Sequence, residues 1–220
     1  MIKKVVDPVR LFLYSWLLWL AAGIILWFIF PKGVLELKWN EHHKMFFDYF
    51  FSTITDLGNG VAFGLFVLLY LFIDRRKFFI SLTASLICLL ITVLMKQYFF
   101  RGEKRPLSFF GDSVNIYLPQ GATKLLFGSY PSGHTLTAFA MFMLAAFFMK
   151  NRMLQLFFFV LAALVGLSRI YLMAHFKEDV WTGSLFGVLI SMTVLCIFQF
   201  YFPFTNTTPL IRLQGNGKKI

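Results

Sequence analysis

A chain of 220 residues that is 59% hydrophobic, 20% aromatic and 14% charged, with a mean hydropathy of +0.73, excludes an ordinary soluble domain and points to an integral membrane protein. The length allows a single domain, 1–220, with no appended soluble module. The formal charge of +11 is scattered among apolar runs rather than gathered in a stripe, so nucleic acid is set aside and anionic headgroups and a phosphorylated substrate are the expected partners.

Leu11 to Phe30 is an apolar run behind Lys3, Lys4 and Arg10. It continues to Pro31 with no small-residue cleavage site, so an uncleaved first span is expected. Residues 31–58 read as a polar loop with an aromatic cluster, Phe46 to Phe51, expected at headgroup level. His42 and His43 are adjacent and point apart on regular structure, so no metal site is expected there.

The second span runs from Gly58 to Ile73, ahead of the charged hairpin Asp74 to Lys77, and the third from Phe78 to about Phe100. A long polar loop, 101–129, is broken by Pro106, Gly111, Pro119 and Gly121. Span four is Ser132 to Met149, span five Met153 to Tyr171 and span six Val180 to Phe202, with Arg212, Lys218 and Lys219 in the tail. The expected fold is therefore all-α and polytopic, with six transmembrane helices.

The N-terminus, the 74–77 and 150–152 hairpins and the tail are short and basic, which places both termini in the cytoplasm. Loops 31–58, 101–129 and 172–179 then share the extracytoplasmic side. Gly60 with Gly64, Ala162 with Gly166, and Gly183 with Gly187 recur at four residues and are expected to let helices pack closely. Cys88 and Cys196 sit inside apolar runs and read as small buried hydrophobes.

Ionisable groups at the ends of apolar runs carry the functional signal. His175 and Asp179 are four residues apart, so a carboxylate on one ring nitrogen can fix the tautomer and leave the other nitrogen free to attack. Taken alone, the pair is equally a staple for a helix end. Pro131-Ser132-Gly133-His134 opens span four with a proline for the first turn, a serine cap and a glycine that admits a ligand to the backbone. His134 stands there as a candidate acid. Lys96, Arg105 and Arg169 supply cations suited to phosphate oxygens, although a lysine at a helix end also snorkels.

In order, Lys96, Arg105-Pro106, Pro131-Ser132-Gly133-His134 and Ser168-Arg169 with His175 and Asp179 resemble the motifs of the type 2 phosphatidic acid phosphatase superfamily of membrane phosphatases. One spacing departs from it. Eight residues rather than six separate Lys96 from Arg105, and Tyr98 holds the usual lysine position. Either the helix end carries a bulge, or Arg101 or Lys104 takes the role.

The resemblance implies phosphoryl transfer without metal or cofactor. His175 attacks phosphorus to form a phosphohistidine and Asp179 orients it. His134 protonates the leaving oxygen, and Lys96, Arg105, Ser132, Gly133 and Arg169 hold the phosphate. It further implies a membrane lipid phosphate as substrate: undecaprenyl pyrophosphate, phosphatidylglycerophosphate, phosphatidate or a lipid A phosphate, handled at the outer face of a bacterial inner membrane. A lipid-to-lipid phosphotransferase shares the same residues. A non-catalytic transporter is the reading from another class, but no internal repeat or mid-membrane helix break supports it. Within loop 101–129, Phe109, Phe110, Leu125, Leu126 and Phe127 are expected to rest on the interface or flank the entering lipid.

Overall fold

The structure, a computed structural model, describes residues 2–119 and 124–202; Gly121, Arg212, Lys218 and Lys219 lie outside the described residues. After a short turn α1 (Lys3–Val6) come α2 (Arg10–Ile29), α3 (Val34–Glu41), α4 (Met45–Ile54), α5 (Gly60–Ile73) and α6 (Arg75–Leu94). These are followed by α7 (Pro106–Phe110), α8 (Gly133–Met149), α9 (Arg152–Tyr171) and α10 (Lys177–Tyr201). Among the described residues the only β-type pairing is an isolated bridge between Lys104 and Phe127.

Polar residues between the apolar runs set the helix starts. Asn59 accepts from the Ala62 amide at 2.8 Å, Asp74 from Arg76 at 3.0 Å, and Asn151 from Met153 at 2.9 Å. Each oxygen satisfies an amide that the first helical turn leaves without a partner, a contribution of about 1 kcal/mol per cap.

Among the described residues, four helical segments are long and apolar enough to cross a membrane: Lys3–Ile29, Arg75–Phe99, Arg152–Tyr171 and Lys177–Tyr201. A fifth is added if Met45–Gly58 and Gly60–Ile73, which meet at 52°, form one bent span. All six expected spans are helical, but α5 and α8 are individually shorter than the rest.

In α8 this shortness goes with burial. Nearly every side chain from Thr135 to Phe148 is enclosed, as expected of a helix that is apolar all round. It packs most extensively against α10 and α9, with α6 and α5 alongside. A Cβ on Gly183 would lie 2.6 Å from the Ser132 carbonyl oxygen, and one on Gly187 would lie 2.4 Å from that of Leu136. The Gly183/Gly187 pair thus brings α10 onto the α8 backbone, and Gly166 meets Val180 and Trp19 in the same way.

Two expectations change. Gly60 and Gly64 have open space where a side chain would go, so this pair does not mediate close packing. Residues 31–58 are mostly helical rather than loop, comprising α3 and α4. α4 buries no side chain and turns Met45, Phe46 and Tyr49 outward, whereas α3 turns Glu36 and Asn40 inward.

Candidate active site

α9 ends at Tyr171, and the chain reverses through Met173, whose φ of 52° is left-handed. The Ala174 and His175 amides both bond back to the Arg169 carbonyl, at 3.0 and 3.1 Å. His175 therefore precedes α10 instead of lying on it. Asp179 sits in the first turn of α10, where its Oδ2 accepts the Phe176 amide at 3.0 Å and faces His175 Nδ1 at 3.4 Å. The four-residue spacing works through this helix cap.

His175 is 1% exposed. Its other ring nitrogen, Nε2, lies 3.3 Å from Arg105 Nη1. An arginine only donates, so Nε2 is the acceptor and the Nδ1 proton points to Asp179. Burial, reinforced by Arg105, Lys96, Arg169 and His134, holds the imidazole well below its ordinary value of 6.5, as the neutral form.

Arg105 is also buried, and its remaining bonds go to backbone. Nε donates to Phe127 O at 3.0 Å, Nη1 to Ala174 O at 2.9 Å and Nη2 to Gly128 O at 3.2 Å. Backbone bonds from Arg105 to Leu126 and from Ser129 to Glu103, at 2.9 and 3.3 Å, run alongside. One guanidinium thus ties both ends of the 101–129 loop to the turn carrying His175.

Lys96 lies in a π-helical turn, Met95–Phe99, closed by Phe100 N to Met95 O at 2.7 Å. A π turn holds one residue more than an α turn, which absorbs part of the longer spacing to Arg105. Its ammonium comes within 3.8 Å of the position a Cβ on Gly133 would take. Arg101 and Lys104 are exposed, so Lys96 is the first-motif cation that reaches the site.

Ser132 caps α8 by accepting the Thr135 amide at 3.4 Å, and its own amide donates to Asp179 O at 2.9 Å. His134 follows in the first turn, beside Lys96 and Gly133 on the wall of a cavity of about 370 Å³. That cavity extends between α5 and α6 past Gly60, Gly64 and Leu89. On the other side, Arg169 Nη1 donates to Thr55 Oγ1 at 2.8 Å, while Nε is buried with no partner among the described residues.

The chain therefore brings all eight candidate residues to one end of the bundle. It also adds contributors that sequence reasoning missed. Ser129 Oγ donates to Asp179 Oδ2. Glu36, wholly buried, accepts the Lys177 amide at 2.6 Å at the start of α10, and burial raises its carboxyl above the ordinary 4.5. Nothing local marks Glu36, since a lone carboxylate in a polar stretch looks solvated. Ser129 had only its nearness to Pro131 as a signal.

A model of the PAP2 superfamily matches residues 82–203, more than half of the chain and a range within which the candidate residues fall. The chain belongs to the PAP2 superfamily. Phosphatidylglycerophosphatase B of Bacillus subtilis is 35% identical over 75 residues, which cover 30% of this chain and 37% of that protein. The crystal structure of Aquifex aeolicus LpxE matches with a TM-score of 0.65 at 27% identity, over 76% of this chain and 96% of that one. A transmembrane PAP2-type phosphatidylglycerolphosphate phosphatase from Bacillus subtilis shares the fold, with a TM-score of 0.59 at 24% identity over 91% of this chain and all of that one.

Proposed function

We propose that this protein is a multi-pass membrane phosphatase that removes phosphate from a lipid phosphate or pyrophosphate, without metal, through a phosphohistidine on His175. The observation that carries the reading is the state of that imidazole. It is buried and neutral, its Nδ1 proton is directed to Asp179, and its Nε2 lone pair faces a cluster of cations. A neutral ring nitrogen with a fixed tautomer is the form that attacks phosphorus.

In the proposed reaction Nε2 forms the bond to phosphorus as the leaving oxygen takes a proton from His134. Water then attacks the phosphohistidine and returns a proton to His134. Lys96, Arg169 Nε and the remaining Nη2 proton of Arg105 meet the phosphate oxygens, with Ser132 and Gly133 presenting the α8 N-terminus. The cavity between α5 and α6 begins at His134 and Lys96 and runs along apolar helix faces, which suits a substrate whose tail stays in the bilayer. Undecaprenyl pyrophosphate, phosphatidylglycerophosphate, phosphatidate and lipid A phosphates all have this form. We place the site on the extracytoplasmic side of a bacterial inner membrane, with six spans and cytoplasmic termini.

The test is phosphate release from a panel of these lipids by detergent-solubilised protein with EDTA present, beside His175→Ala. Release that survives EDTA and is lost in the variant supports the mechanism, and the ranking of lipids names the substrate. No release from any of them by folded protein would count against hydrolysis and favour phosphotransfer between lipids.

A further inference from the structure

The Ser129 side chain is 1% exposed and its hydroxyl donates to Asp179 Oδ2. The same oxygen accepts the Phe176 amide at 3.0 Å and faces His175 Nδ1 at 3.4 Å. A charge-assisted N–H···O⁻ bond ordinarily closes to about 2.8 Å. The ring nitrogen therefore has the most distant of three places on one oxygen. Each donor draws charge from its acceptor, so this carboxylate is a weaker base toward His175 than one facing the ring alone.

The hydroxyl is held where it is. The Ser129 amide donates to Glu103 O at 3.3 Å, and Arg105 holds the carbonyls of Phe127 and Gly128 on the preceding residues. The end of the long loop thus delivers a donor to the group behind the nucleophile.

We infer that Ser129 is a positioning residue that limits the basicity of Asp179 and so keeps the proton on His175 Nδ1 while the phosphoenzyme breaks down. The inference rests on the phosphohistidine reading. In the first step the Nε2 lone pair forms the N–P bond, the P–O bond to the leaving group breaks, and that oxygen takes the proton from His134. The ring now carries positive charge and still holds its Nδ1 proton. In the second step a water oxygen bonds to phosphorus, its proton passes to His134, and the N–P electron pair returns to Nε2. A ring that has kept its Nδ1 proton departs as neutral imidazole. One that has yielded it to Asp179 departs as imidazolate, a far poorer leaving group. A more basic Asp179 therefore assists formation of the phosphoenzyme and slows its hydrolysis.

Besides Asp179, the groups acting on His175 are Arg105 ahead of α7, Lys96 at the end of α6, Arg169 on α9 and His134 on α8. Ser129→Ala leaves all of them in place. The experiment feeds radiolabelled phosphatidylglycerophosphate in detergent micelles to wild type, Ser129→Ala and Ser129→Cys, and traps acid-labile phosphohistidine by alkaline quench during steady turnover. Kinetic constants are measured across pH on the same samples.

Ser129→Ala is expected to raise the trapped phosphohistidine and to lower kcat about tenfold, the scale of one lost hydrogen bond to a charged group. KM falls with kcat, and the acid limb of kcat/KM moves to higher pH because a stronger Asp179 contact favours the protonated ring. Ser129→Cys, similar in size and a weak donor, falls between, and it carries the test alone if the alanine variant does not fold. Phosphohistidine in wild type, with no rise and no shifted limb in the variants, would overturn the inference alone. None in any of the proteins would overturn the phosphohistidine reading and this inference with it.

Discussion

Arg105 and Lys96 act on the same imidazole, but the Arg105 side chain is held by four hydrogen bonds, one to that ring and three to backbone carbonyls, whereas Lys96 makes none among the described residues. The contrast extends around the site. Asp179 and Ser129 are bonded on the Arg105 side, whereas His134 and Arg169 Nε lack hydrogen-bond partners among the described residues on the other. A buried donor without a partner, such as Arg169 Nε, is costly, and a fold keeps it where a ligand completes the set. The difference separates two jobs within one motif set. On the proposed mechanism the tied side orients the nucleophile and closes the loop, and the open side is kept for phosphate.

Removing the shared imidazole tests both sides at once and has the largest expected effect. His175→Ala is expected to lower phosphate release by roughly four orders of magnitude, as loss of a covalent nucleophile does. Residual turnover above about one per cent of wild type would mean that another group attacks.

Next come the two cations, which should fail in different ways. Arg105→Lys loses its fork of bonds to Phe127, Ala174 and Gly128, so kcat/KM is expected to fall on the order of a hundredfold and Tm by several degrees. Lys96→Met should lose about as much activity, since on the proposed mechanism it removes a phosphate contact, with Tm unchanged or raised because a cation without a hydrogen-bond partner among the described residues is gone. Equal loss of Tm in the two variants would erase the distinction.

A smaller effect appears in stability against pH. The unfolded chain takes up a proton at His175 as pH falls through 6.5, while the folded imidazole, held well below that value, does not. Stability present above pH 6.5 is therefore lost progressively below it. The Tm of detergent-solubilised wild type should fall more steeply below pH 6.5 than that of His175→Asn, and parallel slopes would contradict the buried neutral ring.

Smallest is the effect of Gly64→Leu, which has open space to fill on the cavity wall. It is expected to slow release from a long-chain lipid phosphate severalfold and to leave hydrolysis of p-nitrophenyl phosphate unchanged. Equal slowing of both substrates would mean that the cavity does not receive the tail.

The six longest helices are legible in the sequence as apolar runs, and four of them start at a polar cap. Asn59, Asp74, Ser132 and Asn151 stand between apolar runs, and each accepts a hydrogen bond from its own helix. α3 escaped notice because Glu36 and Asn40 are its buried residues, the reverse of an amphipathic pattern. Its inward face meets distant partners: Lys177 at Glu36 Oε1, and Tyr117 for Asn40, whose amide donates to the Tyr117 carbonyl at 2.7 Å. Such pairings have no local signature.

The candidate residues were legible because a charge at the end of an apolar run is costly unless a partner or a ligand compensates it. What their spacing hides is the backbone between them. The π turn at Met95–Phe99, which sets Lys96 beside His134 on the cavity wall, is one example. The turn through Met173 that takes His175 off the helix is another. Gly60 and Gly64 show the converse, since a packing motif in sequence turns out to line a cavity.

The claim that the open side is kept for phosphate is tested most directly by the thermal shift that inorganic phosphate produces in detergent-solubilised wild type and Lys96→Met. Binding to the folded state raises Tm with increasing occupancy. Phosphate should stabilise the wild type and have little effect on Lys96→Met, even though that variant starts no less stable. An undiminished shift in Lys96→Met would mean that phosphate binds elsewhere, and that Lys96 is not kept free for it.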